Sequence, residues 1–111
     1  MVGLNSNLWY RSNKVNFTNP EDPMAQFSWL ESTLDSARKN QEKVFLFAHI
    51  PPGKFERFYQ FFEEGNQFGW PWLKTIYNEK LLTILDNYSG DGSVPSTCVF
   101  KISVLLLLIF V

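Results

Sequence analysis

The stretch FLFAHIPPG, residues 45–53, restricts the possible folds of this chain more than any other segment does. With Val44 in front of it, the stretch opens on an uninterrupted apolar run that ends at Ala48. A run of that length and composition predicts a central strand covered on both faces. It leads directly into His49, the only histidine, and then into Pro51, Pro52 and Gly53, which turn the backbone out of the sheet.

Apolar spacing on either side of this run predicts two helices. In the first, the apolar positions recur at steps of three and four residues up to Lys39: Phe27, Leu30, Leu34 and Ala37. Asp22 is its predicted N-cap and Pro23 its first helical residue. The second helix is predicted over residues 77–88, with an apolar stripe of Leu81, Leu82 and Leu85.

The order of these elements predicts an α/β fold. Residues 1–21 favour a short strand followed by a loop, and a helix, a buried strand, a loop and a helix then follow. Such a protein next requires another strand. With 111 residues, the chain is expected to form one domain.

The end of the chain, from Ile102 to Val111, is apolar except at Ser103. This tail is either a buried strand, a helix, or translated sequence without a structural role. A helix of this length is about 15 Å long and a hydrocarbon core is about 30 Å thick, so no true transmembrane span is expected.

Charge and cysteine content exclude several function classes. The net charge is −1, with ten basic and eleven acidic residues mixed along the chain, so nucleic acid is not an expected partner. Cys98 is the only cysteine, which excludes an internal disulfide and a zinc site built from cysteines. Acceptor tripeptides at Asn16 and Asn87 predict N-glycosylation in the secretory pathway, although the first residues do not resemble a signal peptide.

Two interpretations of His49 stay open on the pattern alone. Sites in open α/β sheets form at the carboxyl ends of strands, where a neutral imidazole can bind a divalent metal. Alternatively, it is a strand-end histidine whose nitrogens are satisfied locally. The carboxylates do not show the spacing that would complete a metal site around it: Glu21, Asp22, Glu63, Glu64 and Asp91. The aromatic pair Trp70 and Trp72 is either a ligand platform or packing.

Several segments together resemble one family: LNSNLWY at 4–10, DPMAQFSWLE at 22–31, AHIPPG at 48–53 and YNEKLLTIL at 77–85. They resemble the acid sphingomyelinase-like phosphodiesterases of the calcineurin-like metallophosphoesterase superfamily, most of all the 3a-type members. The resemblance covers residues 3–89. It implies a β-sandwich flanked by helices, in a secreted or lysosomal glycoprotein that hydrolyses phosphodiester or phosphoanhydride bonds in sphingomyelin-like or nucleotide substrates.

The resemblance also implies a cofactor and one site residue. The family uses two zinc ions, and the histidine of its Ala-His-x-Pro-Pro-Gly turn is a zinc ligand, a role that falls on His49. The family's other ligands belong to motifs that this chain does not contain.

The matched and missing family motifs together predict how the chain is divided and whether it is active. Residues 1–89 are predicted to be the C-terminal portion of a catalytic domain, in a fragment or truncated isoform that is inactive alone and has no assigned catalytic residue. Residues 90–111 are predicted to be an unrelated apolar tail, as would result if a transcript ran into alternative or unspliced sequence. The alternative is a non-catalytic interaction or membrane-associating chain that uses Trp70, Trp72 and the tail.

Overall fold

The computed structural model describes residues 1–53, 71–89, 97–102 and 105–110, and for the last two ranges it describes the backbone alone. The strands are β1 (Val2–Leu4), β2 (Leu46–Ala48), β3 (Thr97–Ile102) and β4 (Leu105–Phe110), and the helices are α1 (Gln26–Lys39) and α2 (Thr75–Ser89). Short 3-10 helices lie at Ser6–Trp9 and Pro23–Ala25. The predictions for Glu63, Glu64, Trp70 and Asp91 lie outside the described residues.

The four strands form one sheet in the order β1-β2-β3-β4. β2 pairs in parallel with both of its neighbours, while β3 and β4 are antiparallel. The α/β prediction and the central position of the apolar run are therefore confirmed. The apolar tail, for which strand and helix were both open, contributes to β3 and forms β4.

The helices bury the apolar faces that hold them on the sheet. In α1 these are the four predicted positions, Phe27, Leu30, Leu34 and Ala37. The stripe predicted for α2 was wrong at one position, because Leu82 is 40% exposed. A turn of 3.6 residues instead brings five side chains to one face: Tyr77, Leu81, Ile84, Leu85 and Tyr88.

The predicted burial of β2 on both faces was also wrong. Leu46 and Ala48 are buried in the core shared with the helices, whereas Phe45 and Phe47 are 54% and 48% exposed. The Phe47 ring lies across Gly3 on β1, where a Cβ atom would approach its Cζ atom to 2.7 Å. Side chains alternate between the two faces of a strand, so the described helices cover one face and leave the other open.

The start of α1 differs from the prediction that Pro23 is the first residue of the helix. Met24 and Ala25 have φ angles of 56° and 54°, a left-handed conformation that interrupts helical geometry, so α1 begins at Gln26. Asp22 nevertheless caps the helix from outside. Its carboxylate accepts hydrogen bonds from the amides of Phe27 and Ser28 at 2.8 and 3.1 Å and from the Ser28 hydroxyl at 2.5 Å.

Tyr88 joins the two helices near their carboxyl ends. Its hydroxyl donates to an Asp35 carboxylate oxygen at 2.6 Å, and the Arg38 guanidinium lies 4.2 Å from its ring centre. The hydrogen bond to Asp35, burial, and the negative charge of Asp35 raise the pKa of Tyr88 to about 12. The tyrosine therefore stays a neutral hydrogen-bond donor at physiological pH.

Candidate functional site

His49 is the first residue beyond the carboxyl end of β2. The ladder places the preceding residue, Ala48, between Leu4 of β1 and Phe100 of β3. Ala48 and Ile50 on either side are buried, whereas His49 is exposed to solvent. The imidazole thus lies at the sheet edge where ligands bind in parallel α/β folds.

The turn after His49 is held by side chains from two other parts of the chain. Ser6, a residue that is 1% exposed, accepts a hydrogen bond from the Ile50 amide through its hydroxyl at 2.7 Å. The Asn78 carboxamide oxygen on α2 accepts one from the Gly53 amide at 2.8 Å. The Trp72 amide donates to the Gly53 carbonyl at 3.1 Å.

Gly53 is required here by its backbone conformation. Its φ angle is +104°, a region that side chains disfavour, while a Cβ atom would meet no atom of the described residues within 4 Å. The glycine therefore permits the turn that follows the two prolines through its backbone conformation.

Asn5 follows β1 at the same edge of the sheet. Gln26, at the start of α1, holds both backbone groups of Asn5: its carboxamide accepts from the amide at 2.7 Å and donates to the carbonyl at 3.2 Å. Because β1 and β2 are parallel neighbours, their carboxyl ends lie side by side, and each is followed closely by a residue whose backbone is hydrogen-bonded to a side chain: Asn5 to Gln26 and Ile50 to Ser6.

The donor set around His49 does not by itself make a zinc site. Within residues 1–53 and 71–89, no group of three or more His, Cys, Asp or Glu side chains comes together to hold an ion. Asp22, one of the carboxylates considered from the sequence, caps α1 instead. A protein zinc site needs three or four ligands, so the described residues fit one ligand position and not a whole site.

Comparisons with known proteins support the family resemblance, although no family model matches the chain. Cyclic GMP-AMP phosphodiesterase SMPDL3A of Mus musculus is 40% identical over 90 residues, 81% of this chain and 18% of that protein. The Homo sapiens protein of the same name is 37% identical over 89 residues. Acid sphingomyelinase-like phosphodiesterase 3b of Homo sapiens is 36% identical over 85 residues, 77% of this chain. The chain is homologous to a segment of the acid sphingomyelinase-like phosphodiesterases.

The chain spans less than a fifth of the length of these relatives, 17% of the human SMPDL3A protein and 16% of the human 3b protein. The predicted resemblance is confirmed, and its extent fits a chain that corresponds to part of a family member. The relatives are named as phosphodiesterases, which is the reaction class that the resemblance implied.

The structure also places the other residues predicted to have a role. Asn16 is exposed in an irregular segment, and Asn87 is exposed on α2, where its carbonyl accepts a hydrogen bond from Arg38 at 3.0 Å. Glycosylation at both positions stays a prediction. Trp72 is partly buried against the core.

The membrane-associating alternative also stays a prediction. Most of the tail belongs to β3 and β4 of the sheet, and the aromatic loop up to Trp70 lies outside the described residues. In the part of the chain that the structure describes, no helix is long and apolar enough to cross a membrane.

A groove with a volume of about 790 Å³ lies at the opposite edge of the sheet from His49. Its lining includes Met1 and Val2 at the beginning of β1, Val44 before β2, and Trp29 and Ala37 on α1. These are the amino ends of the parallel strands, whereas sites in open α/β sheets form at the carboxyl ends, where His49 lies. The groove is therefore separate from the candidate site.

Three residues that support the site were not predicted from the sequence: Ser6, Gln26 and Asn78. Ser6 had a detectable signal, because it continues the alternation of buried residues begun by Val2 and Leu4. A polar residue at a buried position of such a pattern indicates a hydrogen-bonded side chain. Gln26 and Asn78 lie beside the apolar stripes of their helices, where polar residues are ordinary, so no local signal distinguishes them.

Proposed function

We propose that this chain is part of a metal-dependent phosphodiesterase, that it supplies His49 as one zinc ligand, and that it does not hydrolyse substrate alone. The observation that carries the proposal is the position of His49. Its imidazole is exposed at the carboxyl end of the central strand, on a turn held by Ser6 and Asn78. The relatives of this chain are named as phosphodiesterases, and their names support phosphodiester hydrolysis as the reaction class for this position.

The proposed inactivity follows from the number of donors. A neutral imidazole supplies one lone pair to a metal, and affinity arises when several such donors converge. Within the described residues, His49 belongs to no group of three or more potential metal ligands. Bound zinc in a complete site would polarise the phosphoryl group and activate a water molecule.

The substrate class proposed for the intact protein is a phosphodiester or phosphoanhydride. Two of the relatives are named for cyclic GMP-AMP, a nucleotide, and another is named for its likeness to acid sphingomyelinase. These names support a phosphodiester bond as the common element and leave nucleotide and lipid head group as alternatives. A location in the secretory pathway or lysosome, with glycans on Asn16 and Asn87, belongs to the same proposal.

The open face of the sheet supports the proposed β-sandwich architecture of the intact protein. Phe45 and Phe47 are about half exposed, although large apolar side chains contribute most when they are buried. A second sheet packed on this face would cover both rings. We therefore propose that the described sheet is one layer of the sandwich.

The test is hydrolysis of a generic aryl phosphodiester by the purified 111-residue chain, with and without added zinc, at acidic and neutral pH. Circular dichroism first establishes that the material is folded. The expected rate equals that of the matched His49→Ala variant, because one ligand does not assemble a reaction centre. Zinc-dependent hydrolysis that disappears in His49→Ala would contradict the proposed inactivity and show that the chain is an enzyme by itself.

A further inference from the structure

We propose that Ser6 and Asn78 are positioning residues that fix the orientation of His49 through the backbone of the turn from Ile50 to Gly53. The importance of that orientation rests on the function proposed for His49. The geometry of the clamp, which we define as the Ser6 and Asn78 side chains with the two amides they accept from, rests on the structure alone.

The Ser6 hydrogen bond acts on the peptide group that links His49 to Ile50. The Ile50 amide belongs to that peptide group, so its bond to the Ser6 hydroxyl at 2.7 Å restricts rotation immediately after the histidine. On the other side, Ala48 is fixed in the sheet by β1 and β3. The backbone of His49 is therefore held at both ends while its side chain remains exposed.

The composition of the turn makes these two hydrogen bonds unusually important. Pro51 and Pro52 have no amide hydrogen, so Ile50 and Gly53 carry the only backbone donors between Ile50 and Gly53. Both donors bind side chains from distant parts of the sequence, 44 and 25 residues away.

The two side chains are themselves anchored. Asn78 follows Tyr77, which is buried in the core, and it lies on the first turns of α2. Ser6 is buried and follows Asn5, whose backbone is bound by Gln26 of α1. The clamp thus connects both helices to the residue that presents the imidazole, which is how supporting hydrogen bonds preorganise a site.

The test uses the full chain and nuclear magnetic resonance, with two readouts. Amide hydrogen exchange is measured at Ile50 and Gly53, and the three-bond couplings of His49 report its χ1 rotamer. Asn78→Leu removes the acceptor of the Gly53 amide and replaces it with an apolar side chain of similar size. Asn78→Asp retains an acceptor oxygen and is the matched control. Ser6→Ala removes the other acceptor.

We expect exchange at Ile50 to rise at least about tenfold in Ser6→Ala, and exchange at Gly53 to rise similarly in Asn78→Leu. The His49 couplings should change from those of one rotamer to averaged values in both variants, and Asn78→Asp should restore them. Amides in the middle of α1 should keep their protection from hydrogen exchange in both variants of Asn78, which we call the Asn78 pair.

Couplings of His49 that stay unchanged when Ile50 or Gly53 loses protection would overturn the proposal, since the bonds would then stabilise only the turn. If Ser6→Ala unfolds the chain, the Asn78 pair decides by the same criterion. Neither readout involves hydrolysis or zinc, so failure of the clamp and failure of the proposed function are distinguishable.

Discussion

Replacement of Phe27 by alanine is expected to lower the free energy of unfolding by about 3–5 kcal/mol. The Phe27 ring is fully buried and stacks on Trp9, with ring centres 4.3 Å apart and planes 12° apart. Tyr77 of α2 lies 6.2 Å away, and the Lys80 ammonium is 4.9 Å from the ring centre. One side chain of α1 therefore joins the N-terminal segment to α2, and its removal leaves a cavity between them.

A loss of this size is a large part of the stability of a small domain, which is typically about 5–15 kcal/mol. Urea denaturation followed by circular dichroism measures it. Trp29→Ala is the matched control on the same helix, because Trp29 is 49% exposed and should cost at most about 1 kcal/mol. A loss of unfolding free energy of about 1 kcal/mol or less in Phe27→Ala would contradict the described core.

Replacement of Asp22 by alanine is expected to cost about 2–3 kcal/mol at neutral pH. Its carboxylate accepts from two amides in the first turn of α1 and from the Ser28 hydroxyl. Asp22 also precedes the left-handed residues Met24 and Ala25, a conformation that costs about 1–2 kcal/mol per residue. The carboxylate offsets part of that cost by fixing where the helix begins.

The pH dependence of this effect has a definite sign. Burial of Asp22 raises its pKa, whereas the hydrogen bonds from Ser28 and Phe27 and the charge of Lys80 lower it. The lowering effects together outweigh burial, so the pKa lies below its ordinary value of 3.8. A lowered pKa stabilises the folded state above the unfolded value, and this stabilisation is lost as the pH falls through the folded value. The difference between wild type and Asp22→Asn should therefore be constant near neutral pH and shrink below about pH 4.

Denaturation at a series of pH values checks the prediction for Asp22. Glu31→Ala provides the control, because Glu31 is an exposed carboxylate on the same helix and its loss should stay within about 0.5 kcal/mol. A cost for Asp22→Ala no larger than that of the control would show that the carboxylate does not cap α1.

The elements that the sequence predicted well are those in which one pattern determines the structure. Phe27, Leu30, Leu34 and Ala37 recur at the helical period and all are buried. The apolar run before His49 forms the central strand, as expected for a short apolar segment that follows charged residues and is followed by a proline turn. The position of His49 at the strand end followed from that run and from the proline turn.

Features that depend on partners distant in sequence were not predictable in the same way. The late start of α1 reflects two left-handed residues, neither of them glycine, that are compatible with the hydrogen bonds of Asp22. The clamp depends on Ser6 and Asn78 meeting the turn after folding. The half-exposed Phe45 and Phe47 depend on what packs on the second face of the sheet, and local apolar character does not report that.

A zinc titration of the purified chain, followed through the resonances of the His49 imidazole and of the backbone amides, tests most directly whether this chain carries one ligand of an incomplete site. We expect only His49 and its immediate neighbours to respond, with binding weaker than about 0.1 mM, or about 5.5 kcal/mol, and with no response of the amides in His49→Ala. Complete structural zinc sites reach about 10–16 kcal/mol, because several ligands converge. Micromolar or tighter binding that involves further residues would contradict the claim that this chain carries one ligand of an incomplete site.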